Sequence, residues 1–513
     1  MPGQDMSGRD RLVSNVLCSW MGYSVFIAAG FIVPRMIDSQ LGQETLGIWD
    51  FAWSLVGYFN LVQMGISSSV NRYVAKYRAA GDIMAVNCAV SSASSLLVVA
   101  GILVIGLTAA VSILLPRLFG ARLGDNVCQA QWVVLLLGAT IACEIALSTF
   151  SGILTGCHSW GLHNAIKSSC YAATVVAMMV ALYFEAGLAI LGAVYFAGQM
   201  LSSLLHMIFA YRVCTGLQLR PSLVKKSTIK DVFGFGGKTI LPSVSHLLVN
   251  QTTAILIVAY LGPAALALYA RPKSLVRHVN TLVNKMAFVL TPTASALQKA
   301  GDLADIRSLL VRSVRYSCYL VLPITVVLVV FGGPILGLWM GPEYASNLVP
   351  AILVVGHLAA MINLPVMSIL AGLNAHGRAG IAQLIGSGCT VGLTCVALGY
   401  LQLGLIGAAI AITLPLTIVN AVYLPLLVCR RIELELSRYL LLAFAGPVVQ
   451  VLPFGICLVI ARVLCHSQPL SGLAWGGIAG GALLAAVYWR YALPHGVRSR
   501  VLHWKIGAAV KPS

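Results

Sequence analysis

The chain has 513 residues, 59% of them hydrophobic and only 9% charged, with a mean hydropathy of +0.90. Soluble domains carry about 25% charged residues, so this composition excludes a water-soluble enzyme and implies an all-α polytopic membrane protein. The net charge of +18 reads as membrane topology, and with no extramembrane domain to present a basic face it excludes a nucleic-acid partner.

In chain order, apolar runs of about 20 residues, each long enough to cross about 30 Å of hydrocarbon, fall near 13–34, 46–66, 88–115, 130–151, 166–184, 188–211 and 240–261. Seven more follow near 267–290, 316–338, 347–371, 381–400, 404–428, 440–463 and 472–490. The first follows Arg9 and Arg11 but is too long for the apolar core of a signal peptide and lacks a cleavage site, so it is predicted to be a retained helix. With both termini and the segments 212–239 and 297–315 on the inner side, only Arg35, Arg117, Arg122 and Arg462 fall outside. Four cations lie within the eighth span, and the rest of the 33 Lys and Arg are inside, which supports an even number of crossings. The 13 cysteines are scattered through apolar runs as packing residues, without metal-site spacing. No phosphate loop, HExxH or nucleophile elbow occurs, so no metal, no cofactor and no catalytic residue is predicted.

An internal repeat organises the spans. At an offset of 220, Leu41, Gly42, Leu46, Ser54, Leu55, Val56, Asn60, Ala80, Gly81 and Asp82 recur as Leu261, Gly262, Leu266, Ser274, Leu275, Val276, Asn280, Ala300, Gly301 and Asp302. Ile153, Leu154, Gly156 and Gly161 recur as Ile369, Leu370, Gly372 and Gly377 at 216, and Leu188, Gly192 and Ala193 recur as Leu403, Gly407 and Ala408. The offset is six spans, so the halves are parallel, as in transporters that alternate access about a site between repeats. The predicted organisation is a six-helix lobe over 1–215, a basic cytoplasmic linker over 216–239, a second six-helix lobe over 240–430, and two extra helices with a basic tail over 431–513. Loops 152–164 and 372–380, carrying His158, His163, His376 and Arg378, are read as glycine turns on the inner side.

Three stretches now resemble a known family: Leu41-Gly-Gln-Glu-Thr-Leu-Gly-Ile-Trp49, a span ending in Met64-Gly-Ile66, and Asn71-Arg-Tyr-Val-Ala-Lys-Tyr-Arg-Ala-Ala-Gly-Asp82. With Tyr260-Leu-Gly262, Leu268-Tyr-Ala270 and Leu405-Ile-Gly-Ala-Ala409, they are similar to bacterial polysaccharide-repeat-unit flippases of the multidrug/oligosaccharidyl-lipid/polysaccharide exporter superfamily. The resemblance implies two six-helix lobes around a V-shaped central cavity lined by spans 1, 2, 7 and 8. It implies a multi-pass protein of the bacterial cytoplasmic membrane that moves a polyprenyl-diphosphate-linked oligosaccharide for capsule, exopolysaccharide or O-antigen assembly. A polysaccharide polymerase and export machinery are the implied partners, and no bond is made or broken. One departure is that the acidic residue often found in span 7 of relatives is Thr253 here, so no coupling role transfers to it.

The eighth span is unusual in carrying Arg271, Lys273, Arg277 and Lys285. At 100° per residue, Lys273, Arg277, Asn280 and Asn284 share one face, while Arg271, His278 and Lys285 share another. A cation at mid-depth in lipid costs at least about 2.5–3.5 kcal/mol, so these residues must face water, a partner or an anion. Arg271 and Lys273 can snorkel to the outer interface and Lys285 to the inner one, but Arg277 is central. A diphosphate head group would match its guanidinium fork, with Asn280, Asn284, Asn250 and Gln251 available to sugar hydroxyls. Two carboxylates lie within spans: Asp50 is read either as the ion-pair partner of Arg35 or Arg271 or as a proton- or cation-coupling group, and Glu144 as structural. The alternative functions are a cation-coupled drug exporter of the same superfamily, which would need carboxylates for organic cations, and an integral-membrane glycosyltransferase or polymerase. The latter would need catalytic acids on a large outer loop, whereas segment 116–129 offers only Asp125.

Overall fold

A computed structural model describes residues 12–63, 66–226, 229 and 240–492. The termini, most of the basic linker and the Met64-Gly65 pair lie outside the described residues. The described chain is helical and contains no strand. Eleven helical stretches in it are long and apolar enough to cross a membrane. One of them, Ile83–Gly156, spans 74 residues and is two passes, because a 3-10 turn at Gly124–Asn126 breaks it. The second and eighth predicted spans complete the fourteen. The former is interrupted by a 3-10 turn at Gly57–Phe59, and the latter, Pro263–Phe288, is kept from an apolar count by its cations. The predicted outer loop 116–129 is corrected: helix Ile83–Leu123 continues to Leu123 with Pro116 inside it. Ile102, Leu103, Ile113, Val463 and Leu464 are all more than half exposed, the surface that a bilayer, not water, would cover.

The chain forms two compact units, Met1–Ala267 and Leu268–Ser513. Within the first unit, local packing holds the residues around 251–259. Gly57 lacks the Cβ that would meet Gln251, Tyr58 hydrogen-bonds Thr252, and Arg122 donates to the Ala259 carbonyl at 3.1 Å. Helix Thr253–Leu261 is thereby tied to the helices that precede it.

The repeat is written into backbone geometry. Gly42 and Gly262 have φ of 89° and 88°, and Gly81 and Gly301 have 73° and 74°, values that only glycine adopts readily. Asp82 then caps Ile83–Leu123 by accepting from the Ala85 amide at 2.8 Å, and Asp302 caps Leu303–Met340 by accepting from the Asp305 amide at 2.9 Å. Each cap stabilises its helix by about 1 kcal/mol. A Cβ on Gly156 would meet Val74 and the Asn71 carbonyl, while one on Gly372 would meet Ala294 and the Thr291 carbonyl. Both offset-216 glycines thus seat helices that lie within the offset-220 segments, Ile66–Ala79 and Leu290–Ala300.

In the first unit, Val74, Val90, Ile153, Leu154 and Cys214 form a buried core. In the second, Phe331 packs with Val451, Phe454 and Leu458 of helix Gly446–Leu464. The last helix, Pro469–Val487, approaches through Gly472, Gly476 and Gly480, where Cβ atoms would meet Ala461, Cys457 and Phe454, a small-residue seam typical of membrane helices.

Candidate functional site

The proposed site residues divide between the two units. Helix Pro263–Phe288, most of it in the second unit, runs through the cationic stretch with Pro272 inside it. It keeps Lys273, Arg277, Asn280 and Asn284 on one helical face. Arg277 and Asn284 are exposed, while Lys273 and Asn280 are half-buried. The snorkelling reading of Arg271 and Lys273 is corrected. Arg271 is only 4% exposed, and the Lys273 ammonium lies 5.4 Å from the centre of the fully buried Tyr269 ring, whose π face stabilises a desolvated cation. Lys285 is exposed.

The sequence did not single out His357 of helix Leu348–Ile362. Its Nδ1 lies 2.8 Å from the Leu353 carbonyl, which makes Nδ1 the donor, and the charge of Lys273 acts on its ring. A lone histidine in an apolar span was the available signal. Arg277 acts in the same way on Lys273 and His278, so like charges gather on this helix. The carboxylates of the second unit all sit at helix ends or turns: Asp302 and Asp305 open one helix, Glu343 lies in a 3-10 turn, and Glu433 and Glu435 flank the chain reversal before Leu436.

In the first unit, Asn250 and Gln251 lie on a π-helical turn, Leu248–Thr252. The Asn250 amide donates to the His246 carbonyl at 2.8 Å. Asp50 is half-buried on Gln43–Val56 between Trp49 and Phe51. Arg35 lies 3.9 Å from Asp38, one helical turn on.

Two polar groupings in this unit escaped the sequence reading. The charge of Lys167 acts on Glu144, and Tyr195 hydrogen-bonds Gln199, with Trp53 edge-on to Tyr195 at 5.2 Å. His163 is corrected from a loop to helix Trp160–Tyr183, where its Nδ1 lies 3.0 Å from Nε2 of buried His206. The His206 Nδ1 is 2.7 Å from the Ser202 carbonyl, so in the neutral pair His206 donates to Ser202 and accepts from His163. These partners converge from different helices and leave no local motif.

A family model described as polysaccharide biosynthesis protein matches residues 41–349. The chain is 22% identical over 415 residues to the uncharacterized membrane protein EpsK of Bacillus subtilis (strain 168), covering 79% of this chain and 80% of that protein. It is 23% identical over 414 residues to a putative O-antigen transporter of Shigella flexneri, covering 78% and 94%. Among solved structures, the fold is similar to an inward-facing multidrug resistance MATE family transporter of the MOP superfamily, with a TM-score of 0.69, 16% identity, and 79% and 94% of the two chains covered. It is equally similar to the lipid II flippase MurJ in an inward closed conformation, with a TM-score of 0.69, 11% identity, and 93% and 99% covered.

Proposed function

The chain belongs to the polysaccharide biosynthesis protein family, and from that premise we propose that it is a flippase for polyprenyl-diphosphate-linked oligosaccharide repeat units in the bacterial cytoplasmic membrane. The observation that carries this reading is the cationic helix Pro263–Phe288 in a unit whose carboxylates sit only at helix ends and turns. A diphosphate head group supplies the negative charge that helix lacks, and bidentate guanidinium contacts supply geometry as well as charge. Arg277 is assigned the direct contact, Asn280 and Asn284 the neighbouring hydroxyls, and the buried Arg271 and half-buried Lys273 a positive potential behind it. Asn250 and Gln251, on the first unit's own π-helical turn, are proposed separately as groups for sugar hydroxyls. Transport then consists of binding and release without bond chemistry. The family and the O-antigen transporter relative support the lipid-linked substrate. The likeness to a multidrug transporter is one of fold, and a site for organic cations would call for carboxylates where this helix places arginine and lysine.

The test is a deletion strain: lipid-linked repeat units accumulate on the inner leaflet, and their chemical structure is read by mass spectrometry. Unchanged inner-leaflet levels reject the reading. A thiol introduced at Lys225 is expected to resist an impermeant reagent in intact cells, and labelling from outside rejects the cytoplasmic placement of that segment.

Asp50 is proposed as the proton-coupling group. Asp50→Asn is expected to abolish the dependence of flipping on a pH gradient in vesicles at normal protein level. Loss of the protein instead assigns Asp50 to ion pairing, and unchanged coupling at normal level excludes both roles.

A further inference from the structure

The second unit holds a basic cavity at the repeat's glycine turn, with no residue of the cationic helix in its wall. The chain leaves helix Leu364–Gly372 through Asn374, whose φ is 52°, and re-enters at His376, where no side chain caps the new helix. Across from this turn, a π-helical turn Val419–Tyr423 leads into Leu424–Arg431, which ends in two arginines. Between them lies a cavity of about 670 Å³ walled by Arg378, Arg430, Arg431, Asn374, Tyr423 and Leu427, among others, with no acidic residue in its wall.

Three guanidiniums from two elements thus share one space. None of the three is hydrogen-bonded or ion-paired to a described residue. The acid nearest in sequence, Glu433, is already 3.7 Å from Arg307, which also donates to the Ile432 carbonyl at 2.8 Å. Topology alone does not demand this cluster, because the first unit turns the same corner without it. There His158 takes the left-handed conformation, with φ of 57°, Leu162 stands at the offset-216 equivalent of Arg378, and the helix after the next pass ends with Arg212 alone, its guanidinium 5.6 Å from the Phe209 ring centre.

We propose that this cavity binds the phosphate head group of an anionic phospholipid. Guanidinium forks match phosphate oxygens, and juxtamembrane basic pockets are where such head groups are held. Tyr423 and Leu427 continue the wall at the end of an apolar helix. Tyrosine is an interfacial residue, and leucine gives an acyl chain an apolar track beside the phosphate. That amphiphilic wall distinguishes a lipid from free phosphate. The proposal does not depend on what the protein transports.

The test uses the full chain in detergent and reads retained lipid by native mass spectrometry after incubation with phosphatidylglycerol and phosphatidylcholine. The wild type is expected to retain phosphatidylglycerol preferentially. The triple variant Arg378→Gln/Arg430→Gln/Arg431→Gln is expected to lose that preference by at least about tenfold, since hydrogen bonds to charged groups are strong. A charge-matched control, Arg220→Gln/Lys225→Gln/Arg312→Gln, changes exposed residues elsewhere and is expected to keep the preference. If the triple variant does not fold, Arg378→Gln alone is read against Arg312→Gln, with a smaller loss in the same direction. Equal losses in variant and control overturn the proposal, as does full competition by inorganic phosphate. Displacement of the phospholipid by an equimolar short-chain polyprenyl diphosphate also overturns it, because the cavity would then belong to the transported lipid.

Discussion

Arg277→Ala is expected to block polysaccharide export while the protein stays in the membrane at wild-type level. Arg277 is exposed near the centre of its helix on the face that carries Asn280 and Asn284, with Lys273 behind it over Tyr269. Hydrogen bonds to charged groups contribute about 1.5–3 kcal/mol each, so losing a bidentate contact lowers binding by at least tenfold. Arg277→Lys keeps the charge and loses the fork, and is expected to give intermediate export. Lys285→Ala, at the exposed end of the helix, is expected to be nearly silent. The measurement is complementation of an export-deficient strain with protein quantified alongside. Wild-type export by Arg277→Ala would remove this residue from the anion site.

The second large effect is on stability. Gly47 is buried in helix Gln43–Val56, and a Cβ there would run into the backbone carbonyl of Pro263. Pro263 starts its helix directly after Gly262, whose φ is 88°, so the obstacle is fixed backbone rather than a flexible side chain. Overpacking of this kind costs about 1–3 kcal/mol. Gly47→Ala is expected to lower the melting temperature in detergent by several degrees, and Gly47→Leu to remove the folded protein from the membrane. Gly106, in the interior of Ile83–Leu123, has nothing within 4 Å of its Cβ position. There, alanine replaces the poorer helix former, so Gly106→Ala is expected to be neutral or slightly stabilising. Equal melting temperatures for Gly47→Ala and Gly106→Ala would refute the close-approach argument.

Several features were legible from the chain alone because they follow from local chemistry. Hydropathy fixed the class and, with charge asymmetry, the even number of helices, since each crossing must bury a whole apolar run. The repeat was readable because Gly42, Gly81, Gly262 and Gly301 occupy left-handed positions and Asp82 and Asp302 cap helices, and both requirements act on single residues. Periodicity placed Arg277, Asn280 and Asn284 on one face. Tertiary structure decided what depends on residues distant in sequence. Arg271, which local reasoning allows to snorkel, is buried at 4% exposure, and Lys273 is half-buried with its ammonium over Tyr269. Gly57, Tyr58 and Arg122 came to hold the residues around 251–259 from positions far back in the chain. His163 met His206 across 43 residues, and Arg378 came to share a cavity with Arg430 and Arg431. Spacing along the chain encodes the face of a helix, but the neighbour that face meets is set only when helices pack, because burial and pairing are properties of the assembled interior.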